Sequence, residues 1–179
     1  MLTNAPQPIW ALTLALTLWA GWMDWRARRI PNWLTVPALG IGLIANSALG
    51  GWHGVITSLE GAGLALGLLL PFVLLRALGA GDWKLMGAAG ALLGPKPLLD
   101  LLIVAILVAG AMGLVQVIRA RRVAATLHNM WVLVQGFFIF GLQANPEISL
   151  DNPGLTKVPF GVAVAIAAVI CFVRSRIDY

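Results

Sequence analysis

The feature that most constrains this chain is a series of long apolar runs separated by short, mostly basic loops. Inside hydrocarbon every backbone N–H and C=O must be paired within the protein, so runs of this kind become helices. Only 11% of the residues are charged and the mean hydropathy is +0.89, against about 25% charge in a soluble domain. The sequence predicts an all-α, polytopic membrane protein. Its 179 residues suit a single membrane-embedded domain, 1–179, of about six transmembrane helices at roughly 20 residues each.

The first span is expected from about Pro8 to Met23, followed by a basic loop, Asp24–Asn32, in which Pro31 prevents simple continuation of the helix. The second runs from about Trp33 to Leu49 and ends at Gly50-Gly51; the third runs from about Val55 to Leu75. A fourth, counted from Asp82 to Pro97, covers only ~24 Å of a ~30 Å hydrocarbon core. Either it sits in thinned lipid or its Asp82 end lies below the surface. Leu98–Ile118 and Pro159–Val173 complete the set. Asn129–Leu142 is apolar but short, and reads as an interfacial or re-entrant helix. Gly63-x-x-x-Gly67 and Gly90-x-x-x-Gly94 are spacings that let helices approach closely.

The basic residues orient the chain. Met1 to Pro8 carries no Lys or Arg, whereas Arg26, Arg28 and Arg29 follow the first run. A cleavable signal has its positive charges in front, so this run reads as a retained helix with its N-terminus outside. With six spans Arg26, Arg28, Arg29, Arg76, Lys84, Arg119, Arg121, Arg122 and Lys157 face the cytoplasm, and Lys96, Arg174 and Arg176 face out. If Asn129–Leu142 also crossed, Lys157 would exchange sides with Arg174 and Arg176, so the side of the C-terminus stays open. Several of the tryptophans fall at expected interfaces, where indole rings anchor. The net charge of +5 is explained by these loops, and no basic stretch interleaved with exposed aromatics indicates a nucleic-acid partner. The single cysteine, Cys171, lies in the last run and excludes an intrachain disulfide or a multi-thiolate zinc site. His53 and His128 have no partner at metal-ligand spacing, so neither a metal nor a cofactor is expected.

Two aspartates stand out against this background. Asp24 ends the first run and Asp82 follows the third, and every version of the topology puts both on the cytoplasmic side. Taken singly, Asp24 reads as a solvated carboxylate paired with Arg26 or Arg28, and Asp82 as the N-cap of the fourth helix. Taken together, two carboxylates at one membrane face can share a proton and activate a water, the chemistry of an aspartic protease.

The surrounding residues carry a resemblance. Gly79-Ala80-Gly81-Asp82-Trp83-Lys84-Leu85 resembles the Gly-x-Gly-Asp-x-Lys-Leu motif of the type IV prepilin peptidases. Asp24 with Ile30-Pro31-Asn32 resembles that family's first-aspartate segment, and Pro159-Phe160-Gly161 its segment at the last helix. Presenilin-type proteases share Gly-x-Gly-Asp but place Tyr-Asp before it and Pro-Ala-Leu after it; here Asp24 follows Met23 and no Pro-Ala-Leu follows Asp82. The resemblance implies that Asp24 and Asp82 are the catalytic pair, with Gly79, Gly81, Lys84, Pro31, Asn32, Pro159 and Gly161 in support. It also implies a prepilin or pseudopilin substrate, cut at the cytoplasmic membrane face between a short basic leader and the hydrophobic helix. The chain starts at its first span and lacks the paired Cys-x-x-Cys motifs of the larger members. It therefore resembles the short form found with tight-adherence (Flp) pili, and methyltransferase activity is expected to be absent. Val162 stands where many relatives have a second proline.

Glu60 is the one charge within the third span. An intramembrane carboxylate is a functional candidate by default, and it is the feature on which an alternative reading, a non-catalytic scaffold or small transporter, would rest. Hydrogen bonding to a neighbouring helix is the plainer expectation for it.

Overall fold

The computed structural model describes residues 5–120 and 158–177. These form five helices: α1 (Gln7–Ala27), α2 (Asn32–Leu74), α3 (Ala80–Leu93), α4 (Pro95–Arg119) and α5 (Phe160–Ile177). Among the described residues, α2, α4 and α5 are long and apolar enough to cross a membrane. The expected short helix at Asn129–Leu142 lies outside the described residues.

The two spans predicted for residues 33–75 are the limbs of one hairpin. Gly51 breaks α2 with φ 56° and ψ −135°, a conformation essentially reserved for glycine. The chain then folds back so tightly that a Cβ at Gly54 would fall on the Asn46 carbonyl. Asn46 on the outgoing limb and Ser58 on the returning limb both reach the carbonyl of Ala91 in α3, at 2.8 and 2.7 Å.

α3 is the central helix, with every residue from Leu85 to Leu93 buried. Its small residues let backbones meet. A Cβ at Gly42 would lie 2.8 Å from the Ala91 carbonyl carbon, and Gly61 and Gly90 press backbone to backbone. Gly63 and Gly67, which the sequence suggested as a packing pair, face open space; Gly61 takes that role.

With 14 residues, α3 is ~21 Å long, and beside the α2 hairpin it stops short of the tip. The Asp82 end is level with the start of α2, because Lys84 Nζ donates to Asn32 Oδ1 at 2.9 Å. The other end stops beside Asn46 and Ser58, about 7 Å along the limb from the hairpin tip. A helix end inside an apolar bundle strands its last carbonyls. Asn46 Nδ2 supplies Ala91 and Leu92, each at 2.8 Å, and Ser58 Oγ supplies Ala91 a second time. Gly94, at φ 75°, then turns the chain into Pro95 and α4.

α1 packs on α5, with Gly21 admitting Ala165 and the Gly161 carbonyl. The buried hydroxyls of Thr13 and Thr17 are satisfied within α1 by the carbonyls of Ile9 and Thr13. Near the end of α4, a Cβ at Gly113 would sit 3.5 Å from Val158, so the chain before α5 lies beside the last part of α4. From there α5 runs away from Asp24, and Arg174 and Arg176 lie at the opposite end of the bundle.

Candidate active site

Asp24 lies in the last turn of α1 and is only 7% exposed. Its carboxylate is held by the beginning of another helix. Gly161 N–H donates to Asp24 Oδ2 at 2.9 Å, and Val162 N–H donates as well. The physical reason is local: α5 starts at Phe160, so its first amides have no partner within the helix, and the positive end of the helix dipole favours an anion there. The Arg28 charge also acts on this carboxylate. Asp24 is therefore not a solvated loop residue.

Two turns bring Asp82 to the same place. α1 ends with Arg28 in the left-handed region, its N–H on Asp24 O at 2.9 Å. α2 ends with Arg76 at φ 55°, while Ala77 N–H bonds Phe72 O and Arg76 N–H bonds Val73 O, the bond pattern of a Schellman motif. The N-cap of α3 is Gly79, not Asp82, which occupies the third helical position. From there its carboxylate reaches back to the Gly79 N–H, the acidic half of a capping box. Trp83 locks the turn by donating its indole N–H to Leu66 O at 2.8 Å.

The glycines are explained by space. A Cβ at Gly79 would lie 3.0 Å from Asp82 Oδ2. One at Gly81 would lie 3.1–3.4 Å from three atoms of Ile30. One at Gly161 would lie 2.9 Å from Asp24 Cβ and 3.1 Å from Ile30 Cδ1. Gly79 has an ordinary φ of −70°, so conformational freedom is not what it supplies. Ile30, buried between Gly81 and Gly161, is the spacer that sets how far apart the two helix ends stand.

Asp24, Arg28, Arg29, Ile30, Pro31, Asn32 and the segment Gly79–Asp82 line one open cleft of about 420 Å³. Burial raises the Asp24 carboxyl above its ordinary range, against the Gly161 bond, the Arg28 charge and the Val162 bond. Burial also raises Asp82, with the Asp24 charge adding to it and the Gly79 N–H opposing, to about 7. Asp82 Oδ1 is buried without a hydrogen-bond partner among the described residues. The cleft thus holds two carboxyls that resist being charged together, beside space for a substrate backbone.

Of the residues singled out from sequence, Asp24, Asp82, Gly79, Gly81, Pro31 and Asn32 meet at this cleft, and Gly161 touches Asp24. Pro159 immediately precedes α5 and accepts from Ala163 N–H at 3.4 Å. Lys84 is bonded to Asn32 rather than to either aspartate. Ile30 and Val162 are named in the motif segments without a role in the site, and Gly21 carries no sequence signal at all. Glu60 is exposed and does not line the cleft. No group of three or more His, Cys, Asp or Glu residues that could hold a metal occurs among the described residues.

An all-helical protein with apolar membrane-type helices and a carboxylate pair in a cleft at one end of the bundle is what the fold defines. The profile of the type IV leader peptidase family matches residues 11–114, which include both aspartates, and the chain belongs to that family. Neither a curated protein nor a solved structure matches the chain.

Proposed function

We propose that this protein is a prepilin leader peptidase in which Asp24 and Asp82 are the catalytic pair. The observation that carries the reading is that these aspartates, distant in sequence, line one cleft, and the charge of the first raises the pKa of the second. One carboxyl keeps a proton while the other is ionised. The ionised group takes a proton from water, and the hydroxide oxygen bonds the scissile carbonyl carbon. The protonated group gives its proton to the carbonyl oxygen. The gem-diol then collapses: the C–N bond breaks, the nitrogen is protonated by the first group, and one diol hydroxyl returns its proton to the second. The pair ends as it began.

The substrate is a prepilin-like protein, cut between its short basic leader and its hydrophobic helix. The family supports this substrate class, and the open cleft at the end of an apolar bundle suits a bond at the end of a membrane helix. In the membrane the chain is read as about six crossings, each limb of α2 counting as one. Residues 32–50 rise ~28 Å, close to the hydrocarbon thickness, with exposed Trp33 at one end and Trp52 at the other. The aspartate end, which also carries Arg26, Arg28 and Arg29, is assigned to the cytoplasmic face of the inner membrane. The reading covers leader removal and leaves N-methylation out.

Co-expression with a prepilin, followed by mass spectrometry, tests it. Leader removal should require this protein and fail in Asp24→Asn and Asp82→Asn. Unimpaired removal in both variants would refute the reading.

A further inference from the structure

The two aspartates are held differently. Asp24 Oδ2 accepts the Gly161 N–H at 2.9 Å and the carboxylate also accepts from Val162. An amide N–H can only donate, so this grip favours a carboxylate with its lone pairs free. Arg28, exposed on the cleft wall, adds a positive charge. Asp82 has weaker support. The Gly79 N–H serves it, Oδ2 faces Gly79, and Oδ1 is buried without a partner. An ionised carboxyl there leaves one oxygen desolvated and unpaired, whereas a neutral one carries a proton on the oxygen available to donate.

We infer that the first turn of α5 divides the labour of the pair: Asp24, gripped by the Gly161 and Val162 amides, is the base that deprotonates water, and Asp82 is the acid that protonates the scissile carbonyl through Oδ1. This assignment rests on the peptidase reading above and adds the direction of proton flow. Gly161 and Val162 are positioning residues, acting through Asp24. They lie outside the family match at 11–114, so part of the catalytic asymmetry comes from a helix remote in sequence. Among the described residues, the other charged groups on the elements that form the cleft include Arg26 at the end of α1, Arg29 on the cleft wall, Arg76 in the turn before Gly79, and Lys84 on α3, which is bonded to Asn32. From Val158 to Val173 the strand of chain forming the start and middle of α5 contributes no charge.

Val162→Pro tests the assignment. Proline is tolerated in the first turn of a helix and lacks the N–H, so it deletes one donor to Asp24 and leaves Gly161 in place. The acid limb of the kcat–pH profile should move to higher pH by about one unit, the size that one charge-assisted hydrogen bond supports. The basic limb should stay. A purely structural role would lower kcat at every pH without moving either limb; an unmoved acid limb in an active Val162→Pro enzyme overturns the assignment and leaves the peptidase reading standing. A second measurement does not depend on that variant being active. The infrared band of protonated carboxyls, recorded on the acid side of neutrality, should lose intensity in Asp82→Asn and keep it in Asp24→Asn. The reverse pattern overturns the assignment. Cleavage surviving in both Asn variants would instead overturn the peptidase reading itself.

Discussion

Gly161→Ala is the sharpest test of how the site is built. The added methyl would lie 2.9 Å from Asp24 Cβ, 3.0 Å from Asp24 Oδ2 and 3.1 Å from Ile30 Cδ1. Ordinary carbon contacts begin near 3.5 Å, so α5 must retreat from α1 by roughly half an ångström or more. Rotation of a side chain cannot relieve the clash, because the nearest atom is the Cβ of Asp24. Overpacking of this kind costs about 1–3 kcal/mol, and the retreat stretches the 2.9 Å bond from Gly161 N–H to Asp24. A misplacement of ~1 Å can cost about 100-fold in rate. The expected result is a 10- to 100-fold fall in kcat with a smaller change in KM. The assay is single-turnover cleavage of a purified prepilin in detergent, with thermal unfolding measured alongside. Gly63→Ala is the control: nothing lies within 4 Å of its Cβ, and alanine improves a helix interior by up to about 1 kcal/mol. Wild-type kcat in Gly161→Ala would refute the claim that α5 positions Asp24 by close contact.

Activity should fall as pH rises through about 7, where Asp82 ionises and the pair loses its shared proton; it should fall again on the acid side, at a pH above the ordinary carboxylate range, as Asp24 is protonated. A pH–rate profile flat through neutrality would contradict this. Removing the Asn46 amide by Asn46→Leu takes the side-chain donor from the Leu92 carbonyl and leaves Ala91 with Ser58 alone; the expected loss is about 1–3 kcal/mol, read as a lower melting temperature with the activity per folded molecule retained. Gly51→Ala forces an L side chain into φ 56°, ψ −135°, with an expected cost of about 1–3 kcal/mol in the same unfolding assay. Ile30→Ala empties the spacer between Gly81 and Gly161; it should destabilise by about 2–5 kcal/mol and lower kcat more than the far-side variant at Asn46.

Much of the helical layout was legible because lipid leaves a chain few options. Apolar runs become helices, Gly50-Gly51 must interrupt one, and Pro31 marks where another begins. The aspartates were legible as a pair from their place at run ends and from the motif around each. Local signals failed where the partner is distant. A glycine-spaced pair at Gly63 and Gly67 looks the same in sequence as one that packs, yet on the returning limb of α2 it is Gly61 that faces α3. The short fourth span showed a deficit without showing where it stops beside its neighbours, since that depends on side chains at Asn46 and Ser58, each more than thirty positions away.

By itself the amino-acid order determined the helical class, the expected side for the charged loops and the two acids on which the chemistry is proposed to turn, because hydropathy and charge act locally. Only the tertiary structure decided that Asp24 is capped by the first turn of α5 and that Asp82 folds back onto Gly79. The difference is physical: a carboxyl's protonation depends on which donors surround it, and those donors arrive from helices that the chain brings together only on folding.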